Sequence, residues 1–157
     1  MTTEQSALNK KTESKIKATL ALPLEAPAVA EGIGPQEMAA LIDHTQLKAG
    51  ATQDQIEVLC QQAREHNFAA VCVNASYVAL CHELLQGTEV EVAAVVGFPL
   101  GATLPEVKAY EAQRCIAAGA TEIDMVIQVG ALLDQRYEYV YQDILGVAQA
   151  CVAAISR

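Results

Sequence analysis

The sequence predicts an α/β fold: four βα units of a (β/α)8 barrel, a half-barrel of parallel strands covered by helices. Three observations carry this expectation. Short apolar strands alternate with amphipathic helices, β-α-β-α-β-α-β-α, from about residue 36 onward. The strand landmarks Asp43, Cys72, Val95 and Asp124 are spaced by 29, 23 and 29 residues. The first strand runs into DHTQLKAG, with neither a GxGxxG nor a GxxxxGKS/T loop, where a doubly wound sheet would usually carry its phosphate loop. A complete barrel needs about 250 residues, so 157 residues supply half of one.

Residues 1–35 read as a flexible or partly helical extension. Their lysines, serines and threonines hint at a transit peptide, but the glutamates and the missing arginines argue against it. Residues 36–157 form the half-barrel, with strands 1–4. Pro35 starts a short helix, and Leu41-Ile-Asp43 opens the first strand. Thr52 and Gln55 fit a capping box, and Ile56, Leu59, Cys60 and Ala63 make one apolar stripe of the helix behind it. FAAVCVN is a strand, and ASYVALCHELLQG is a helix stopped by Gly87. VEVAAVVGF is the third strand. Thr103 and Glu106 suggest a second capping box on a helix stopped by Gly119. EIDMVI is the fourth strand, and a helix runs from about Tyr137 to Ile155.

Net charge is −9, with residues 1–20 at +2 (four lysines, two glutamates) and the remainder at −11. An acidic body argues against nucleic acid and anionic membrane as partners. No stretch approaches the roughly 18 uninterrupted apolar residues of a membrane span. Five cysteines, an odd number without a CxxC, read as buried reduced thiols of a cytoplasmic protein. No Cys/His cluster has zinc-site spacing.

Polar groups gather at the strand ends: Asp43 and Thr45, Cys72 and Asn74, Gly97-Phe98-Pro99, then Asp124 and Gln128. In barrel enzymes the reactive face lies at the C-terminal ends of the strands. Asp124 inside EIDMVIQVG is the oddity, because burying a charge costs several kcal/mol unless it is paired. It reads either as a structural carboxylate or, together with Asp43, as an acid that works with a lysine in the barrel mouth. Cys72 reads as a small core residue, since no histidine falls at an activating position. His44 points to the opposite face of a regular strand and reads as structural. GFPLGAT resembles a phosphate loop only weakly and reads as a tight strand-to-helix turn.

LIDHTQLK, AREHNFAAVCVNASYV and VVGFPLGAT…EVKAYEAQRCIAAGATEIDMVIQVGAL, in that order, resemble the 2-deoxyribose-5-phosphate aldolase family from about Met38 to Ala153. The resemblance implies a class I aldolase on a (β/α)8 barrel. Such an enzyme reversibly cleaves 2-deoxy-D-ribose 5-phosphate to glyceraldehyde 3-phosphate and acetaldehyde through a lysine Schiff base, with no metal or other cofactor. It makes Asp124 the catalytic proton relay. It places Asp43, Thr45, Leu47, Cys72, Asn74 and Phe98 in the substrate pocket. It also exposes a departure. The family's imine lysine lies on the sixth strand, in a KTSTG-like segment, and a second lysine lies on the seventh. This sequence ends at VAAISR, and its lysines are Lys10, Lys11, Lys15, Lys17, Lys48 and Lys108.

Two functions are therefore expected from these residues. One is the N-terminal half of the aldolase, inactive until a complementary C-terminal half completes it. The other is a non-catalytic half-barrel that associates with itself, as a homo-oligomer, or with a partner through its open edges. A weaker third is a phosphate-binding module built on GFPLGAT and helix N-termini. The partners implied are a sugar phosphate and a second half, with no nucleic acid and no membrane.

Overall fold

The computed structural model describes residues 32–155. The extension expected over residues 1–35 lies outside the described residues up to residue 31. Pro35 already begins helix α1, Pro35–Ala39. The chain then runs β1 (Asp43–Gln46), α2 (Gln53–His66), β2 (Ala70–Val73), a 3-10 turn (Ala75–Tyr77) and α3 (Val78–Leu84). It continues with β3 (Glu91–Val96), α4 (Pro105–Ala117), β4 (Glu122–Met125), α5 (Val129–Leu133) and α6 (Tyr137–Ile155).

Local chemistry sets most boundaries. Thr52 and Gln55 cap α2 reciprocally: the Thr52 hydroxyl accepts from Gln55 N–H at 3.4 Å, and the Gln55 side chain accepts from Thr52 N–H at 3.2 Å. Asn67 ends α2 in the left-handed conformation at φ 52°. The box expected at Thr103 does not form. Leu104 is extended at φ −68° and ψ 143°, and Pro105 opens the helix without a side-chain cap. Counted from Leu104, the third helical residue is Val107, so Glu106 is one position short of closing a box. Helix α5 was absent from the sequence reading; the Gln128 side chain starts it by accepting from Ala131 N–H at 3.3 Å.

The four strands form one parallel sheet in the order β1-β2-β3-β4. Asp43 pairs with Ala70, Thr45 with Cys72, Cys72 with Ala93, Ala93 with Glu122, and Val95 with Asp124. Because side chains alternate along a strand, the sheet has two unlike faces. Val71, Val73, Val92 and Ala94 pack under α2 and α3 with Ile56, Leu59, Cys60, Val78 and Cys81 in the main core. Val96, Ala112 and Val147 form a second core beneath α4 and α6, which pack along each other. The buried apolar residues of the opposite face are few, Ala70, Cys72, Ala93 and Val95, with Leu47 against them. Among the described residues no element pairs with the outer edge of β1 or of β4. This is the open sheet of a partial barrel.

Candidate active site

Asp43, Thr45, Cys72, Glu122 and Asp124 share the sparsely covered face, at alternate positions of neighbouring strands. Thr45 Oγ1 donates to the Asp43 carbonyl at 2.8 Å. Cys72 sits centrally and is 5% exposed. Its thiol is pushed up from the ordinary value by burial first, then by the negative charges of Asp124 and Asp43, with a smaller push from Glu122; the hydrogen bond with Thr45 opposes the rise. The negative charges of β1 and β4 on this face thus act together on the one thiol between them. That environment keeps Cys72 protonated and a poor nucleophile, in line with its reading as a core residue.

Asp124 is exposed in this chain, as is Asp43. Among the described residues the inner face of β4 meets solvent, so Asp124 carries no burial penalty there. Leu47 is half-buried against Cys72 and its apolar neighbours. Asn74 lies at the end of β2, half-buried, with its carbonyl accepting from Tyr77 N–H at 3.0 Å. Phe98 stands apart, 41% exposed. With Leu100, Tyr110 and Arg114 it lines an open cleft of about 660 Å3. The structure sets Asp43, Thr45, Cys72 and Asp124 on one face with Leu47 beside Cys72, and carries Phe98 on the turn after β3.

The turn after β3 is built as the glycines suggest. Gly97 and Gly101 have φ of +66° and +64°, and the Phe98–Pro99 peptide is cis. A Cβ on Gly101 would stand 1.9 Å from the Ile127 carbonyl oxygen, so this turn lies directly against the segment leaving β4. His44 bonds Gln62 of α2 at 2.8 Å, away from the acids.

Two lysines lie among the described residues. Lys48 is exposed on the loop after β1. Lys108 is wholly buried, donating to Asp143 Oδ2 at 2.5 Å and to the Val126 carbonyl at 3.0 Å. Sequence reasoning missed this pair and missed Glu122. A signal existed: Lys108 falls in register with Ala112 and Cys115 on the buried stripe of α4, and Asp143 with Val140 and Val147 on that of α6. Among the described residues no group of three or more His, Cys, Asp or Glu is placed to hold a metal ion. No helix there is long and apolar enough to cross a membrane.

Comparison with known proteins agrees with the geometry. Residues 37–155 match the DeoC/LacD family of aldolases. A deoxyribose-phosphate aldolase of Lysinibacillus sphaericus is 56% identical over 115 residues, covering 73% of this chain and 52% of that protein. A solved structure from Coccidioides immitis, assigned to deoxyribose-phosphate aldolase, superposes with a TM-score of 0.82 at 39% identity, covering 94% of this chain and 59% of that one. The tetrameric deoxyribose phosphate aldolase of Aeropyrum pernix superposes at 0.70 with 31% identity, covering 77% of this chain and 50% of that one. The chain spans about half the length of the curated relatives it matches. With a family match across nearly all described residues and a sheet that superposes on solved aldolases, the chain belongs to the DeoC/LacD aldolase family.

Proposed function

We propose that this chain supplies the acid-bearing half of a deoxyribose-phosphate aldolase site. The observation that carries the reading is that Asp43 and Thr45 of β1, Cys72 of β2 and Asp124 of β4 share the one open face of the sheet. In this reading Asp124 is the proton relay. Its carboxylate takes the hydroxyl proton of the sugar as the carbon–carbon bond breaks, and returns a proton in the reverse direction. Asp43, Thr45, Leu47, Cys72, Asn74 and Phe98 shape the pocket for a sugar phosphate. The reaction is the reversible cleavage of 2-deoxy-D-ribose 5-phosphate to glyceraldehyde 3-phosphate and acetaldehyde, and it requires a lysine amine to form the imine.

Neither described lysine suits that task, since Lys48 is on an exposed loop and Lys108 is held by Asp143. In this reading the described residues supply no imine-forming amine, the 157-residue chain alone is expected to be inactive, and a complementary half carrying the lysines closes the sheet. Charge favours that occupant. None of the four strands contains Lys or Arg, whereas Asp43, Glu122 and Asp124 face inward. A second copy would set acid against acid, while a lysine-bearing half would neutralise the face. The unpaired edges of β1 and β4 give some support to the other reading, a non-catalytic half-barrel that self-associates.

The test is cleavage of deoxyribose 5-phosphate, with borohydride trapping of an imine. The chain alone is expected to show neither. Mixing it with the lysine-bearing half of the Lysinibacillus relative is expected to restore cleavage, and Asp124→Asn to abolish it. Robust turnover or a trapped imine on the 157-residue chain alone would sink the proposal.

A further inference from the structure

Helix α4 holds the C-terminal ends of both β3 and β4 with two side chains. The ladder between these strands runs one step past their ends, where Val126 N–H donates to the Val96 carbonyl at 2.9 Å. The next acceptor in line is the Val126 carbonyl. By then β3 has turned away at Gly97, φ +66°. The Val126 carbonyl is met by Lys108 Nζ at 3.0 Å instead of by a strand. Three residues on along α4, Glu111 Oε2 accepts from Gly97 N–H at 2.9 Å. The two strand ends that leave the ladder are thus satisfied by one helix at i and i+3.

The arrangement is costly in the way that positioning devices are. Lys108 and Asp143 are both 0% exposed. Asp143 Oδ1 has no hydrogen-bond partner among the described residues. A buried ion pair is often no more stable than an apolar pair of the same volume, so stability alone is a weak reason to keep it. Its geometry is confined on every side. The Lys108 methylenes run across Gly97, where a Cβ would come within 3.0 Å of Cε and 3.2 Å of Cδ. A glycine is required there both by φ and by the lysine.

We infer that Lys108, held by Asp143, is a positioning residue that fixes the end of β4 and thereby the orientation of Asp124, two residues before Val126 on the same strand. It touches no substrate. Its importance for catalysis rests on the reading of Asp124 given above; the clamp itself does not.

Cys72 serves as the internal reporter, because its thiol feels the charges of Asp43 on adjacent β1 and of Asp124 and Glu122 on β4, two strands away on the same face, and the hydrogen bond with Thr45. Site-resolved iodoacetamide labelling of Cys72 against pH is measured by mass spectrometry on the full 157-residue chain, together with amide hydrogen exchange. Asp124→Asn calibrates the reporter: with that charge removed the thiol falls back toward its ordinary value, and labelling at pH 8 rises above wild type. The double variant Lys108→Met/Asp143→Leu replaces the pair by apolar side chains of similar size. The expected result is a folded protein whose Cys72 labelling shifts toward that of Asp124→Asn. Exchange over 122–130 should rise about tenfold or more, while β1 and β2 keep wild-type protection. A folded double variant with wild-type labelling and wild-type exchange over 122–130 overturns the inference and leaves the pair a packing feature only. Should the double variant not fold, the near-isosteric Asp143→Asn is read by the same two criteria, with the same result on either side. Neither readout uses aldolase turnover, so failure of the clamp and failure of the proposed activity remain distinguishable.

Discussion

Lys108 Nζ and Asp143 Oδ2 lie 2.5 Å apart between α4 and α6, with both side chains fully excluded from solvent. Removing one partner of such a pair strands the other charge. Asp143→Ala is expected to cost about 3–5 kcal/mol of folding stability. Lys108→Met/Asp143→Leu should recover most of that loss, since neither charge then remains buried. Urea denaturation of the three proteins checks both statements.

The two capping threonines are expected to behave differently. Thr52 makes a side-chain bond to Gln55 N–H, and Thr103 makes none to the start of α4. Thr52→Ala should lower stability by about 1 kcal/mol, and Thr103→Ala by less than about 0.5 kcal/mol. Thermal melts of the two single variants distinguish them.

Gly101 is the position where a single methyl should do the most damage. A Cβ there meets the Ile127 carbonyl carbon at 2.8 Å and its oxygen at 1.9 Å, in a backbone with φ +64°. Overpacking and left-handed strain each contribute about 1–3 kcal/mol. Gly101→Ala should therefore lose several kcal/mol and loosen the β4–α5 segment, measured by denaturation and by amide exchange over 126–131. Gly50→Ala is the control, with nothing within 4 Å of its Cβ.

Alkaline pH should unfold the protein through its thiols. Burial, with Glu111 adding to it, pushes Cys115 up from 9.0 to about 11, and Cys72 is raised as well. A thiol that binds its proton more tightly when folded stabilises the fold fully below the unfolded pKa. That contribution is lost as pH rises through the folded value. Urea midpoints should hold steady up to about pH 8.5 and fall between 9 and 11. Cys115→Ala should flatten part of that fall.

Much of the fold was legible because each unit carries its own period. The α2 stripe Ile56, Leu59, Cys60 and Ala63 is buried as the spacing requires, and β2 is buried along its whole length at the sheet centre. The capping box at Thr52 was readable because its partner lies three residues away in sequence. The one at Thr103 misled because Pro105 sets the helix start, and a local pattern does not say which of two candidates the backbone adopts. Within the site, alternation placed Asp43, Thr45, Cys72 and Asp124 on one face. Asp124 read as a buried charge because its strand looks apolar, and its exposure depends on what stands across the sheet, which no local pattern records. Lys108 and Asp143 are 35 residues apart, and their pairing follows from how α4 packs on α6.

The strand order β1-β2-β3-β4 has a consequence for how the chain assembles during synthesis. Among the described strands each of β2, β3 and β4 pairs with the one made just before it, so each new βα unit finds its template already outside the ribosome. None of these three waits for a distant segment, and the loop closed at each step is short, built of helix and its connections. The growing sheet adds units in one direction only, always at its most recent edge. At each stage that edge is the site most open to a wrong neighbour, and β4 is where the described chain leaves it.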